Sequence, residues 1–311
     1  MRTGEMRLHD EITSLIPIFP ELYTLDYTVK NELIKWLQKY PPCISDLGAG
    51  YLYLWLEHDI PQVTIINGNL CILIRPYNLP PYFLDPIGDN LIKETISTCI
   101  AHCGRICISN ALLTKLGNDL SGYKITEIPE QFDYIYETKT LVDLKGTKFA
   151  SKRNHIHKFM RSYSDFKYQR ITREFKDKAL ELFDIWSVDL KIDSIYEIPS
   201  ARQRKALENA FDCFNCCGFV GGYIEAEGKF LGFILGSQLN ANTFTIHFQY
   251  GLAEAAGVYQ VLLQQLCAEL QTQFTYVNLE QDLGLAGLRK MKMSYYPTHI
   301  EKKFIVEQNL M

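Results

Sequence analysis

The 311-residue chain has no apolar run that approaches the roughly 20 residues needed to cross a bilayer. Its first residues, MRTGEMRLHDEIT, also lack the apolar core of a signal peptide. Neither sign of charge dominates, since the formal net charge is −4. No whole-molecule positive field is therefore available for a polyanion, and contact with nucleic acid or a lipid headgroup would need a local patch. We expect a cytoplasmic protein.

Complete metal-binding motifs are also missing. The nine cysteines are an odd number, which fits reduced, buried thiols better than a framework of disulfides. The segment CFNCC, residues 213–217, has ligand-like spacing, but no second ligand pair of matching spacing follows it. His155 and His157 lie two apart in a predicted helix and point to different faces, so they cannot hold one ion together. We therefore expect no bound metal.

The residues that are present indicate a globular protein large enough for two domains. Apolar residues make up 47% of the chain and charged residues 22%, which is typical of folded proteins. In the first half, two β-branched runs in QVTIINGNLCILIRPY meet at Asn67 and Gly68, which is a strong hairpin signal. Helices are predicted over 27–40 and 89–103, and the second precedes the strand RICISN.

The second half repeats this order at a larger size. Strands are predicted for DYIYETK, FKYQRIT, TFTIHFQY and FTYVNL, and helices over 148–162, 174–189 and 201–213. The hairpin FVGGYIEAEGKFLGFILGSQL is predicted to turn at 226–228, and we expect FIVEQ to close the second sheet. The repeated order divides the chain into an N-terminal domain, 1–131, and a C-terminal domain, 132–311.

The stretch NLEQDLGLAGLRKMKMSYYP, residues 278–297, mixes charges where a strand runs into a glycine loop. Such groups are costly to remove from water, so they serve an ion-pair network or a charged ligand, and we favour the ligand. In an acyl transfer, a carboxylate can take a proton and a fixed cation can stabilise the oxyanion. No Ser-His-Asp or Cys-His arrangement follows from the spacing, so no covalent intermediate is predicted. The predicted catalytic residues are Glu280, Asp282, Arg289 and Lys292.

Two further segments are suited to contact an anionic ligand. The helix in KFASKRNHIHKFMRSY places apolar residues inward and cations elsewhere, as a solvated face or a phosphate-binding helix would. The segment TIHFQYGLAEAAGVYQ reads as a strand, a glycine-bracketed loop and a helix start. Unpaired N–H groups at a helix start suit a phosphate or carboxylate, although an ordinary helix junction would use the same glycines.

Two of these segments resemble the signatures of a known family. EQDLGLAGLRKMKMSYYP resembles the closing motif, N-x-E-Q-D-x-G-x-x-G-L-R-x-x-K-x-S-Y-x-P, of the soluble C-terminal domain of phosphatidylglycerol lysyltransferases and their stand-alone relatives. Residues 133–163 resemble their other signature, in which a strand precedes a K-R-N-x-x-x-K-F helix. The resemblance implies an α/β protein with two tandem GNAT-like (acyl-CoA N-acyltransferase-type) sandwich domains. It also implies mixed, mostly antiparallel sheets and similarity to the Fem aminoacyl transferases.

By this resemblance, the protein would be an enzyme that moves an aminoacyl group from aminoacyl-tRNA to a hydroxyl or amine acceptor. The acceptor would be a phosphatidylglycerol-like lipid or a soluble or peptide group. A local basic patch would contact the tRNA acceptor end, a lipid headgroup would be a transient contact, and no cofactor is assigned. The predicted substrate-binding residues are Lys152, Arg153, Asn154, Lys158, Gly251, Glu254, Gly257, Tyr259 and Tyr295.

Two alternatives stay open on the same fold. An acyltransferase could use a coenzyme A thioester as donor, but the usual Q/R-x-x-G-x-G/A pyrophosphate pattern is absent, because Gly251 and Gly257 stand six apart around Glu254. A binding module without catalytic activity is the other alternative. The sequence indicates neither the donor amino acid nor the acceptor nor the oligomeric state.

Overall fold

The computed structural model describes residues 14–77, 79–189 and 200–309. Within these ranges the chain forms two seven-stranded sheets. The strands are β1 (Tyr23–Thr24), β2 (Gln62–Ile66), β3 (Asn69–Ile74), β4 (Tyr82–Phe83), β5 (Arg105–Ser109), β6 (Tyr123–Glu127), β7 (Asp133–Glu137), β8 (Lys167–Arg170), β9 (Val220–Ala226), β10 (Lys229–Gln238), β11 (Thr243–Gly251), β12 (Tyr276–Asn278), β13 (His299–Glu301) and β14 (Lys303–Gln308).

Helices pack on both sheets and between them. None of those in the described ranges is long and apolar enough to cross a membrane. The α-helices are Lys30–Lys39, Ala49–Leu54, Leu56–Asp59, Ile92–Cys103, Asn110–Leu116, Thr138–Asp143, Ala150–Ser162, Lys176–Asp189, Ser200–Asp212, Val258–Leu270 and Ala286–Met293.

Two tight hairpins form where the sequence tolerates left-handed backbone. Asn67 and Gly68 join β2 to β3 with φ angles of 51° and 78°, as a type I′ turn requires. Glu227 and Gly228 join β9 to β10 with φ angles of 53° and 72°. Both hairpins agree with the sequence-based prediction.

The two sheets share one layout. The first has the order β1-β2-β3-β4-β5-β14-β6 and the second β13-β7-β12-β11-β10-β9-β8. Each contains one parallel pair, β4 with β5 and β11 with β12, while the other pairs are antiparallel. A helix, Ile92–Cys103 or Val258–Leu270, connects the strands of each parallel pair, as parallel strands require. The predicted repeat of mixed, mostly antiparallel α/β halves is therefore present.

The C-terminal strand does not close the second sheet, as FIVEQ was expected to do. Instead, β14 lies in the first sheet, antiparallel to both β5 and β6. Only Lys302 separates β13 from β14. A single residue is too short for the common hairpin loops, so the chain continues into the other sheet. Conversely, β7 follows β6 in sequence but pairs with β12 and β13 in the second sheet.

A buried ion network lies where these two strands begin. The Lys303 ammonium donates to Asp133 Oδ1 at 2.9 Å and also to Asp46, and all three residues are buried. Asp133 accepts further hydrogen bonds from the Ser45 N–H at 2.7 Å, the Ser45 hydroxyl at 2.9 Å and Asn278 Nδ2 at 3.0 Å. Burial alone would lower the pKa of Lys303, but the two carboxylates outweigh it and raise the pKa. The network joins both sheets to the turn at Ser45–Leu47.

We predict that Lys303→Met destabilises the protein strongly, because it leaves the Asp46 and Asp133 carboxylates buried without their cation. Breaking a buried pair in this way typically costs about 3–5 kcal/mol. Lys302→Met is the matched control, because Lys302 forms an exposed bridge to Glu127 and such pairs contribute about 0.2–1 kcal/mol. Chemical denaturation of both variants measures the difference, and equal losses of stability would contradict the assignment.

Candidate functional site

The separation of β11 from β12 opens a cleft in the second sheet. The two strands pair only from Thr243 with Tyr276 to Thr245 with Asn278, and β11 then continues to Gly251 while the chain after Asn278 turns away. The resulting cavity measures about 370 Å³. Aromatic and charged side chains from both halves line it, among them Trp55, Trp186, Phe248, Tyr250, Tyr259, Glu280 and Lys292.

Glu280 presents a partly exposed carboxylate to this cleft. Its backbone has a left-handed φ of 57°, and its N–H donates to Asn278 Oδ1 at 2.7 Å. Its Oε1 lies 2.6 Å from His247 Nδ1, and His247 Nε2 lies 2.8 Å from Ser237 Oγ. The His247 side chain is 2% exposed and that of Glu280 17%. Of the three hydrogen-bonded side chains, Ser237, His247 and Glu280, the Glu280 carboxylate is therefore the one that a ligand can reach.

The hydrogen-bond chain from Ser237 through His247 to Glu280 was not predicted. In the neutral tautomer that has its proton on Nδ1, the ring donates to Glu280 and accepts the Ser237 hydroxyl at Nε2. Ser237 is buried, so this is not a serine nucleophile exposed to a substrate. Side chains alternate between the two faces of a strand, which puts His247 and Gln249 of TIHFQY on the same face of β11. This alternation was the sequence signal that could have identified His247 as a residue of the cleft.

Lys292 fixes the backbone on both sides of Glu280. Its ammonium donates to the Leu279 carbonyl at 2.6 Å and to the Gln281 carbonyl. The side chain is buried beneath the cleft. Burial lowers the pKa of Lys292 to about 8, against the opposing effect of Glu280 and the other nearby carboxylates. This residue thus places both a positive charge and a structural contact beside the carboxylate.

Asp282 and Arg289 pair with each other. Arg289 donates from Nε and Nη2 to the two Asp282 oxygens at 2.7 and 3.0 Å. The Tyr134 hydroxyl and the Gly284 N–H also donate to Asp282, at 2.6 and 2.9 Å. Burial opposes ionisation, yet these donors hold the pKa of Asp282 below its usual range. The pair joins the glycine loop to helix Ala286–Met293 and does not line the described cleft.

The predicted cationic helix, Ala150–Ser162, is separate from the cleft lining. Lys152 Nζ lies 3.9 Å from the centre of the buried Tyr295 ring, and burial lowers the pKa of Lys152. Arg153 donates to the carbonyls of Leu144 and Gly146, so it stabilises the preceding loop. The side chains of Asn154 and Lys158 are exposed.

The glycine-bracketed loop forms a second cavity of about 220 Å³ beside the cleft, and Trp186 and Tyr259 line both. Trp186 Nε1 donates to the Tyr259 hydroxyl at 2.8 Å. Gly257, with φ of 99°, begins helix Val258–Leu270. A Cβ at Gly257 would lie 2.4 Å from the His155 carbonyl oxygen. Glycine is therefore needed for the N-terminus of helix Val258–Leu270 to pack this closely against the cationic helix. Gly251 lines the second cavity, whereas Glu254 is exposed and outside its lining.

A family model described as phosphatidylglycerol lysyltransferase, C-terminal, matches residues 39–307. A conserved protein of unknown function from Bacteroides thetaiotaomicron has a solved structure with 26% identity and a TM-score of 0.85, covering 93% of this chain and 99% of that one. An uncharacterised protein of Mycoplasmoides gallisepticum is 25% identical over 201 residues, which is 61% of this chain and 64% of that relative. The matched part therefore spans less than two thirds of that relative.

Two more distant structures confirm the fold. L-PGS from Bacillus licheniformis has 14% identity and a TM-score of 0.62, covering 93% of this chain and 94% of that one. FemX has 10% identity and a TM-score of 0.59, covering 92% and 96%. The expected α/β fold with mixed, mostly antiparallel sheets is thus shown, and FemX shares it.

We predict that the contribution of Lys292 to stability increases with pH. Its pKa is about 8 in the folded protein and about 10.4 in an unfolded chain. Between these values the unfolded state binds more protons, so unfolding becomes harder as pH rises, by up to roughly 3 kcal/mol in total. Neutral lysine keeps two N–H donors for the two carbonyls that it contacts.

The measurement is the free energy of unfolding of the wild type minus that of Lys292→Met, determined from pH 7 to pH 10. The Lys290→Met variant, which removes an exposed lysine, measures how much of the pH dependence comes from removing any lysine charge. A difference that stays constant across this range would show that Lys292 is not held in a desolvated position.

Proposed function

Because the chain belongs to the phosphatidylglycerol lysyltransferase C-terminal family, we propose that it is an aminoacyl transferase. Its donor would be aminoacyl-tRNA, and its acceptor a hydroxyl or an amine. The observation that carries this proposal is Glu280, a partly exposed carboxylate at a cleft of about 370 Å³ in which the other lining groups are largely aromatic and apolar. The separation of β11 from β12 opens this cleft beside the carboxylate.

The reaction requires one proton to move and one acyl bond to be exchanged. Glu280 takes the proton from the acceptor hydroxyl or amine as its oxygen or nitrogen attacks the ester carbonyl carbon of the donor. The tetrahedral intermediate then expels the ribose oxygen of the tRNA, which receives the proton from Glu280. Carboxylate and proton are both restored, so the cycle needs no redox partner and no covalent enzyme intermediate.

The neighbouring groups position this carboxylate. His247 holds one oxygen of Glu280 at 2.6 Å and is itself held by the buried Ser237 hydroxyl. Lys292 fixes the adjoining backbone and supplies a positive charge near the developing oxyanion. We propose that Asp282 and Arg289 stabilise the glycine loop, because the two side chains form a bidentate ion pair with each other.

The donor is proposed to approach past the second cavity and the cationic helix. The Gly251 to Gly257 loop lacks the pyrophosphate pattern expected for coenzyme A, which supports tRNA as the carrier. Lys158 and Asn154 are exposed on the helix that contacts Gly257. A tRNA backbone passing here would meet a local cation although the whole protein carries a net charge of −4.

We predict that Glu280→Gln lowers the rate of aminoacyl transfer by about 10²-fold or more, the usual contribution of a general base. Glutamine keeps the shape and a hydrogen bond to His247 but cannot accept the proton. The assay follows a labelled amino acid from charged tRNA into lipid and water-soluble fractions separately, which also identifies the acceptor class. Glu181→Gln, an exposed change on helix Lys176–Asp189, should be unaffected, and normal turnover by Glu280→Gln would refute the assignment.

Binding of tRNA should weaken steeply with salt, and Lys158→Ala should reduce both the affinity and the magnitude of the logarithmic salt slope, the latter by about 1. Lys93→Ala, in the first half of the chain, is the control for the loss of one positive charge anywhere on the protein. Fluorescence anisotropy with labelled tRNA at several salt concentrations measures both quantities. Tight, salt-insensitive binding of coenzyme A without tRNA binding would instead support the acyl-coenzyme A alternative.

A further inference from the structure

Three cysteine thiols meet at the turn that follows helix Ser200–Asp212. The sulfurs of Cys213, Cys216 and Cys217 all lie within 4.8 Å of one another, and those of Cys216 and Cys217 are 3.9 Å apart. From the sequence we expected no metal, because no second ligand pair follows this segment. In the folded chain, one turn brings three sulfur ligands together without a second pair.

The backbone of the turn holds these positions. The Cys217 N–H donates to the Cys213 carbonyl at 2.9 Å, and the Phe219 N–H donates to the Phe214 carbonyl at 2.9 Å. Gly218 has a left-handed φ of 65°, which lets the chain leave the turn and enter β9. The sulfur arrangement therefore comes from an ordered turn in which Phe214 is also buried.

The spacing of the Cys216 and Cys217 sulfurs matches that of two thiolates bound to one ion. With metal–sulfur bonds of about 2.3 Å, two thiolates on one ion lie roughly 3.8 Å apart in tetrahedral and roughly 4.0 Å apart in trigonal geometry. The observed 3.9 Å between Cys216 and Cys217 falls in this interval, and Cys213 needs only a small approach. Disulfide bonding would need a much larger movement, to about 2.05 Å.

The position of the turn allows an ion to enter and gives it a structural role. Cys213 is buried, whereas Cys216 and Cys217 are half-buried. Cys217 lines a cavity shared with Leu37 and Ala49 of the first half. An ion at this point would join the end of helix Ser200–Asp212 to the N-terminal half of the chain.

We propose that Cys213, Cys216 and Cys217 form a site for one thiophilic d¹⁰ cation, zinc(II) or copper(I). Thiolates are the ligands that select these ions. Copper(I) would be bound by the three thiolates alone, while zinc(II) would complete a tetrahedron with a water. Binding releases the thiol protons. The site is independent of the aminoacyl transfer proposed for the cleft.

The test starts from reduced, metal-stripped full-length protein titrated separately with zinc(II), copper(I) and, as a spectroscopic probe, cadmium(II). We expect one tightly bound ion per chain, a higher melting temperature, and protection of the half-buried Cys216 and Cys217 thiols from alkylation. Cys216→Ser should weaken binding at least tenfold and abolish the thermal shift. Cys103→Ser, which changes a half-buried cysteine elsewhere, should retain both.

Substoichiometric or weak binding by the wild type would overturn the proposal, as would unchanged binding by Cys216→Ser. Formation of a disulfide among these cysteines with no metal uptake by the reduced protein would overturn it as well. If Cys216→Ser does not fold, the sulfur-to-cadmium absorption of the wild type still tests the proposed site, because the intensity of this absorption reports the number of coordinated thiolates. Three thiolates per ion are expected, and fewer would contradict the site.

Discussion

The contact of Lys303 with Asp133 and Asp46 ties the two halves of this protein together. Asp133 begins β7, which belongs to the second sheet, and Lys303 begins β14, which belongs to the first. Two carboxylates and one ammonium buried together are stable only when every partner is in place. A shift of either strand by one residue would turn a charged side chain away from its partners. The network therefore specifies register as well as the exchange of strands.

Hydrogen bonds connect the same network to the candidate catalytic carboxylate of Glu280. Asn278 donates to Asp133 through its side-chain nitrogen and accepts the Glu280 N–H through its side-chain oxygen. On the other side, Gln281 donates to the Ser45 hydroxyl. Glu280 is thus flanked by residues bonded to the buried charges, and His247 holds its side chain from β11. Hydrogen bonds from elements of both halves thus fix the position of Glu280, which favours a reproducible geometry.

Local features of the fold could be predicted from the residues themselves and its class from the family resemblance, whereas the exchange of strands between the sheets could not. The hairpin at Asn67 and Gly68 follows from turn chemistry, and helix Ala150–Ser162 from its apolar spacing. The exchange of β7 and β14 depends on loop length and on partners far away in sequence. Likewise, the motif drew attention to Glu280, but spacing cannot show that His247 contacts it, or that Arg289 faces Asp282 rather than a ligand.

We propose that the separated strands β11 and β12 hold Glu280 where an aminoacyl ester reacts. The most direct test is a crystal structure of the protein with a stable 3′-amide analogue of an aminoacylated adenosine. We expect the analogue to occupy the cleft between β11 and β12. Its carbonyl carbon should lie close enough to Glu280 for an acceptor atom, about 3–3.5 Å from that carbon, to contact the carboxylate. An analogue bound elsewhere, or in the cleft with Glu280 turned away from it, would refute the role of Glu280.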